Sequence, residues 1–278
     1  MDTQDSFLIG SIECTVLSDG WSDYSPEAIF PGVPEEQWRR FAGSTLTEEG
    51  MIRLAYQTLL LRSGERLALV DAGLGDFGGP DGSAGKLPGS LEGLGIGPDD
   101  IDVVLVSHAH PDHIGGLVRL GGPAPVPAFR NARVVMRRDE FGFWTSDASA
   151  SMMEVMREVT GMVLPAIDHA QLLDLVDDDR EVFPGVRFEA APGHTPRCWS
   201  RMTTRARSIS RMPSSTRRSS RTRNGRGAFD ALPEVTVESR RRLLELAASR
   251  DLTTMAFHVA GRGRVRLRGA VFGWDPEG

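Results

Sequence analysis

Cysteines and long apolar runs are scarce in this chain, and each scarcity excludes a class of protein. Cys14 and Cys198 are the two cysteines among 278 residues, too few for a disulfide framework or a thiolate metal site. No apolar run approaches the roughly 18 residues of a membrane span, and the first residues lack the basic-then-apolar order of a signal peptide. We therefore expect a cytoplasmic protein with no membrane partner.

Lysine is also nearly absent, since Lys86 is the one lysine among 32 basic residues. Acidic residues number 38, and the formal net charge of −6 argues against general binding to nucleic acid. With 40% apolar residues, the chain is long enough to bury a large core. We predict a single domain over residues 1–278.

Residues 101–116 carry the strongest functional signal. The apolar run at 103–106 predicts a buried strand. Four side chains of metal-ligand type follow it closely: His108, His110, Asp112 and His113. Neutral imidazole and carboxylate are the donors that zinc and similar divalent ions prefer. The two earlier histidines lie on one side of an extended loop, whereas Asp112 and His113 open the next helix, so the spacing favours two adjacent metal ions over one. The alternative is a polar loop with Asp112 as a helix N-cap, which leaves three histidines unexplained.

The run from His108 to His113, with a buried strand before it and Ile-Gly-Gly after it, resembles the HxHxDH motif of the metallo-β-lactamase superfamily. The resemblance covers nearly the whole chain except residues 197–227. It implies an α/β fold, a four-layer αβ/βα sandwich, in which the motif follows a strand and binds one or two metal ions, usually zinc. The aromatic N-terminal segment, a Phe-Trp helix at 138–144 and the residues after His258 look most like the lactonase and organophosphate-hydrolase branch.

The resemblance also implies roles for single residues. A first Zn²⁺ would be held by His108, His110 and His194, and a second by Asp112, His113 and His258. Asp112 is also the candidate catalytic carboxylate. Asp71 would orient the metal loop without binding metal, or else be a turn-forming aspartate. The sixth histidine, His169, lies in a polar stretch and is expected to be solvated.

Apolar periodicity and turn residues predict the remaining elements. Residues 21–50 look like an aromatic-rich insertion that either covers core or overhangs a substrate pocket. Strands are predicted at 7–18, bent at Gly10, and at 52–62, 66–71, 132–136, 171–175 and 185–190. Helices are predicted near 35–41, 90–96, 138–144, 150–163 and 233–250.

Residues 197–227 differ from the rest of the chain. They hold ten arginines and no acidic residue, so the remainder carries 22 basic against 38 acidic residues. Composition alone predicts a disordered basic tract or an RNA-binding arm. In the family that the motif resembles, this region holds two core strands and an aspartate that bridges the two metals. No carboxylate occurs between Glu189 and Asp230.

A translated frameshift would account for this break. When residues 205–219 are back-translated with GC-rich codons and shifted in frame, the permitted products include an apolar strand that ends in aspartate. The alanine after that aspartate is forced by the single codon of Met212 followed by Pro213. We interpret 197–227 as out of frame, with the frame restored near Gly227. We expect at most fragments of strand there, and we expect Asp230 to lie away from the site.

The pattern favours a metallo-hydrolase that uses zinc-activated water on a small ester, lactone or phosphotriester. One alternative is a metal-binding relic with little catalysis, since the bridging aspartate is lost. Another is a nuclease of the same superfamily that holds RNA with its basic tract, although the acidic remainder and the lack of interleaved aromatic residues argue against a nucleic-acid partner. A homodimer is left open.

Overall fold

The structure, a computed structural model, describes residues 5–79, 82–177, 180–195, 199–203, 208–212, 229–269 and 271–277. Residues 199–203 and 208–212 are described by their backbone alone. Cys198 and the predicted frame restoration near Gly227 lie outside the described residues. None of the helices in these ranges combines the length and the apolar composition that crossing a bilayer requires.

Sixteen strands, seven α-helices and five short 3₁₀ helices make up the regular structure of the described ranges. In chain order, the strands are β1 (Ser6–Ile9), β2 (Ile12–Tyr24), β3 (Ile52–Ser63), β4 (Arg66–Val70), β5 (Val103–Leu105), β6 (Val118–Arg119), β7 (Val126–Pro127), β8 (Arg133–Arg137), β9 (Leu173–Val176), β10 (Glu181–Phe183), β11 (Val186–Ala190), β12 (Trp199–Thr203), β13 (Ser208–Met212), β14 (Thr253–Ala256), β15 (Val259–Arg268) and β16 (Val271–Glu277). The helices are α1 (Pro26–Ile29), α2 (Glu35–Ala42), α3 (Leu87–Glu92), α4 (Pro111–Ile114), α5 (Arg138–Trp144), α6 (Glu154–His169) and α7 (Pro233–Ser249).

The strands form two seven-stranded sheets and a small β6–β7 pair. The first sheet has the order β1-β2-β3-β4-β5-β8-β9, with antiparallel pairs up to β4 and parallel pairs from β4 to β9. Its strand β5 is buried on both faces, which explains why residues 103–105 are continuously apolar. The second sheet has the order β10-β11-β12-β13-β14-β15-β16.

Three apolar clusters place the layers. Leu59, Leu61 and Leu105 of the first sheet share one core with Phe188 and Met255 of the second, so the two sheets pack face to face. The alternate residues of β3 to β5 join helices α3 and α6 in a core on the other side of the first sheet. Ala247 of helix α7 packs against Ala256 and Val265 of the second sheet. The four-layer αβ/βα prediction is therefore confirmed.

The N-terminal strands differ from the prediction. Residues 7–18 form part of a hairpin, not one bent strand, because Gly10 adopts φ +61° and Ile9 pairs with Ile12. Strand β2 then continues to Tyr24, so the start of the predicted insertion pairs with β3. Helix α2 lies where a short helix was expected.

The tract at 197–227 contains two strands, and the prediction of at most fragments of strand is wrong for ten of its residues. Strand β12 pairs with β11, β13 pairs with β12 and with β14, and both lie inside the second sheet. Ladder hydrogen bonds join backbone groups, so neighbouring strands can pair with a segment of unsuitable composition. An absence of strands therefore no longer supports the frameshift interpretation. That interpretation now depends on the arginine content and on the missing carboxylate.

Candidate metal centre

The loop after β5 leaves the first sheet and delivers three histidines to its edge. His110 takes the N-cap position of helix α4, and its carbonyl oxygen accepts the backbone N–H of His113. Asp112 therefore lies inside the helix, and the alternative that it serves as the N-cap is wrong. The bend at this helix start separates the first two histidines from Asp112 and His113, as the spacing predicted.

The structure brings His108, His110 and His194 together. One possible ligand atom from each lies within 4.8 Å of the others, and Nε2 of His108 is 3.2 Å from Nδ1 of His110. All three side chains are buried. His194 follows β11 of the second sheet and faces the two histidines of the first.

A second group contains Asp112, His113 and His258, again within 4.8 Å. Oδ2 of Asp112 lies 3.4 Å from Nε2 of His113 and 3.4 Å from Nε2 of His258. His258 follows β14 of the second sheet. Each group thus takes ligand candidates from both sheets, and His169 belongs to neither because it lies exposed at the end of α6.

In the second group, the outward nitrogen of each ring donates to a fixed acceptor. Nδ1 of His113 donates to Oδ2 of Asp71 over 2.5 Å. Nδ1 of His258 donates to the carbonyl oxygen of Ala55 over 3.1 Å. A proton on Nδ1 leaves the lone pair on Nε2, which in both rings faces Asp112.

The first group has similar partners. Nδ1 of His194 donates to Oδ1 of Asp230 over 2.7 Å, and Nδ1 of His108 lies 3.1 Å from the Ser107 hydroxyl. His110 is reversed, since its Nδ1 faces His108. Its Nε2 is buried with no hydrogen-bond partner in the described part of the chain.

Asp71 holds the metal loop, as the resemblance implied. Its oxygens accept the backbone N–H and the hydroxyl of Ser107, each over 2.6 Å, as well as Nδ1 of His113. Asp71 is fully buried and adopts φ +66°, a conformation that aspartate tolerates better than most residues. The carboxylate therefore fixes the start of the loop and one of its histidines.

Gln57 fixes the turn that carries His258, and sequence reasoning missed it. Its Nε2 donates to the carbonyl oxygens of Ala256 and Val259 over 2.6 and 2.5 Å, and its Oε1 accepts the N–H of Gly261 over 3.0 Å. The side chain is buried on β3. A buried glutamine at a strand position signals a polar partner, but the partner lies about 200 residues away in the chain.

Asp230 does not lie away from the site, and that prediction is wrong. Its carboxylate contacts His194 and lies 3.0 Å from a guanidinium nitrogen of Arg240. The segment before α7 pairs with the His194 turn: the N–H of Ala231 donates to the His194 carbonyl oxygen over 3.0 Å. This pairing turns Asp230 toward the histidine.

Burial and charge set the protonation of the cluster. Burial lowers the pKa of His110 well below its ordinary value and that of His258 to about 4, so both rings are neutral near pH 7. Burial alone would raise the pKa of Asp112, but the charge and hydrogen bond of His113 lower it overall. Burial opposes protonation of His113, yet Asp112 and Asp71 raise its pKa.

These residues fit a divalent metal. Converging imidazole nitrogens, an ionised carboxylate and outward ring nitrogens held by hydrogen-bond partners at four of the five histidines are typical of zinc sites. Nε2 of His108 and Nδ1 of His110 face each other at 3.2 Å, a distance that two nitrogen ligands of one ion can adopt. Within the described residues, no carboxylate belongs to both groups.

A tyrosine pair lies beside the second group. The hydroxyls of Tyr24 and Tyr56 are 2.5 Å apart, and the Tyr56 ring packs edge-on against His258 at 5.4 Å between ring centroids. The Tyr24 ring packs against Phe229, the residue before Asp230, at 6.3 Å. Tyr24 lies within the segment for which a pocket-covering role was one alternative.

The comparisons with known proteins agree with this geometry. Residues 53–200, more than half of the chain, match the metallo-beta-lactamase superfamily. An N-acyl homoserine lactonase of Bacillus thuringiensis is 29% identical over 170 residues, covering 55% of this chain and 60% of that protein. The N-acyl homoserine lactonase AiiB of Agrobacterium fabrum (strain C58) is 31% identical over 108 residues, covering 37% of this chain and 35% of that protein. The matches thus span less than two thirds of these relatives.

Solved structures show the same fold over nearly the whole chain. The dizinc quorum-quenching lactonase AidC superposes with a TM-score of 0.84 at 22% identity, covering 99% of this chain and 97% of that one. The hydrolase AbOPH gives a TM-score of 0.83 at 22% identity with the same coverage. The family match, the shared fold and the paired ligand groups lead to one conclusion: the chain belongs to the metallo-β-lactamase superfamily.

Proposed function

We propose that this protein is a metal-dependent hydrolase that opens a small lactone or ester and holds two zinc ions. The observation that carries the proposal is the pair of adjoining ligand groups, His108–His110–His194 and Asp112–His113–His258. The lactonase relatives favour a lactone over a phosphotriester as the substrate.

The chain's own residues would hold and orient the metals. The five histidines present one nitrogen each, with the outward nitrogens of four fixed by Asp71, Ala55, Asp230 and Ser107. Asp112 stays ionised and contributes the negative charge of the second group. When bound, a metal pair lowers the pKa of water toward about 7 and polarises the carbonyl oxygen of the substrate.

The test is a metal-content and activity assay of the purified chain. We expect zinc-dependent hydrolysis of N-acyl lactones, loss of it with a chelator, and loss of at least about 100-fold in kcat/KM in His110→Ala and His258→Ala. His169→Ala is the matched control, because that histidine is exposed and lies outside both groups. Aryl esters and phosphotriesters complete the substrate panel.

Two other outcomes would replace the proposal. Stoichiometric zinc without turnover of any substrate would favour the metal-binding relic. RNA cleavage with steeply salt-dependent RNA binding would favour the nuclease.

A further inference from the structure

Helix α7 and the segment before it surround the turn that carries His194. The N–H of Leu232 donates to the carbonyl oxygen of Gly193 over 2.8 Å, beside the bond from Ala231 to His194. The Ser239 hydroxyl on α7 donates to the carbonyl oxygen of Pro192 over 2.7 Å. The turn is thus bound to this helix on both sides of the histidine.

Asp230 and Arg240 add a charged chain to this contact. Oδ1 of Asp230 accepts both Nδ1 of His194, over 2.7 Å, and a guanidinium N–H of Arg240, over 3.0 Å. The Asp230 and Arg240 side chains are 2% and 5% exposed. Because both charges are removed from water, the pair costs desolvation energy, and its geometry has to be well fixed to compensate.

We propose that Asp230, held by Arg240, is a positioning residue that sets the orientation and tautomer of His194 for metal binding. The carboxylate requires a proton on Nδ1, so the lone pair of Nε2 is directed toward His108 and His110. Such a carboxylate partner raises the basicity of a metal-binding imidazole, and its loss commonly weakens metal affinity by about 10–100-fold. The proposal refines the metal-binding half of the proposed function and depends on it.

Arg240 contributes by holding the carboxylate in place, since its guanidinium N–H donates to the same Oδ1 that accepts Nδ1 of His194. Arg240 lies on α7, so the position of this helix is connected to the first ligand group through two side chains.

The experiment measures zinc affinity by chelator competition in the full chain, together with the visible spectrum of the Co²⁺-substituted protein. Asp230→Ala is expected to weaken the first-site affinity by about 10–100-fold and to change the Co²⁺ absorption bands. Asp230→Asn, which keeps an oxygen acceptor but loses the charge, should show a smaller loss. Asp251→Asn is the control, because Asp251 is exposed, belongs to neither ligand group, pairs with Arg264 and Arg266 of β15, and has a positive φ that asparagine tolerates.

Arg240→Met should also weaken zinc binding, whereas Arg241→Met on the exposed face of the same helix should not. Far-ultraviolet circular dichroism of the metal-free variants establishes that they are folded. If Asp230→Ala fails to fold, Asp230→Asn and Arg240→Met still decide the question.

The proposal is overturned if folded Asp230 variants bind zinc as the parent does and give unchanged Co²⁺ spectra. It is also overturned if the parent chain binds no zinc. A parent chain that binds zinc but hydrolyses no lactone would refute the proposed activity alone, since the affinity and spectral comparison remains valid.

Discussion

Nε2 of Gln57 lies 2.5 Å from the carbonyl oxygen of Val259, although 202 residues separate the two in the chain. With the bonds to Ala256 and Gly261, this side chain connects the first sheet to the turn of His258 in the second. The position of the ligand candidate His258 therefore depends on a residue that belongs to neither ligand group.

We expect Gln57→Leu to loosen the His258 turn and to weaken the second zinc site. Leucine fills a similar volume, but the carbonyl oxygens of Ala256 and Val259 lose their donor, at a cost of about 1–3 kcal/mol in unfolding free energy. A zinc titration should show the second equivalent binding at least tenfold more weakly and the first unchanged. Gln37→Leu, exposed on α2, is the control. Equal loss of both equivalents would contradict a role confined to His258.

Gly193→Ala should displace His194. A Cβ at Gly193 would lie 2.2 Å from the backbone nitrogen of Thr236, and φ is +128°, so the substitution adds backbone strain of about 1–3 kcal/mol to a steric clash. We expect lower thermal stability together with weaker zinc binding.

The matched glycine is Gly161 in α6, where a Cβ would meet nothing within 4 Å. Gly161→Ala should stabilise the helix by about 0.5–1 kcal/mol and leave zinc binding unchanged. Similar melting temperatures for the two variants would show that the approach of α7 to the His194 turn is not tight.

The buried Asp19 should make the unfolding free energy depend on pH. Burial raises the pKa of its carboxyl group to about 6, against hydrogen bonds from the backbone N–H groups of Leu74 and Leu87. Between pH 4 and 6 the folded state therefore holds a proton that the unfolded state has released, and stability falls as pH rises through this window.

Relative to Asp19→Asn, the unfolding free energy of the parent chain should fall by about 2–3 kcal/mol between pH 4 and pH 7. Urea unfolding of the chelator-treated proteins at several pH values measures this difference. Parallel pH curves for the two proteins would show that Asp19 has an ordinary pKa.

Because no carboxylate occurs between Glu189 and Asp230, we predict a difference in zinc content and turnover between this chain and a frame-corrected version. Asp230 binds His194 on its outward side, and no described carboxylate belongs to both ligand groups, so we expect incomplete occupancy of the second zinc site and slower hydrolysis in the present chain. Zinc per chain and turnover of lactones should both rise in the corrected version. Equal values would mean that the bridging aspartate is not needed, and sequencing the gene across residues 190–232 would test the frameshift directly.

The sequence predicted the elements whose signal is local. Residues 103–105 are apolar because both faces of β5 are buried. The histidines after them predict metal binding because imidazole is a common metal ligand. Strands β15 and β16 were not predicted. The arginines of β15 alternate along the strand, and their acidic partners Asp5, Asp251 and Glu277 become visible only in the folded chain.

The same limit explains the error on Asp230. Its sequence neighbourhood shows only the approach to a helix, whereas its orientation is set by backbone pairing with residues 193–194, about 36 positions earlier. Gln57 is a similar case. Supporting residues of a metal site carry little local pattern, because they are selected by contacts between distant segments.

The division of each ligand group between the two sheets has a mechanical consequence. Within the first group, His108 and His194 follow strands of different sheets and are 86 positions apart, so an ion bound by that group would join the two sheets like a covalent cross-link. Its binding energy would add directly to the free energy that separates folded from unfolded chain. The stability of the two-sheet sandwich would then depend on the available zinc concentration. The metal-free chain would unfold more readily and be cleaved faster by proteases.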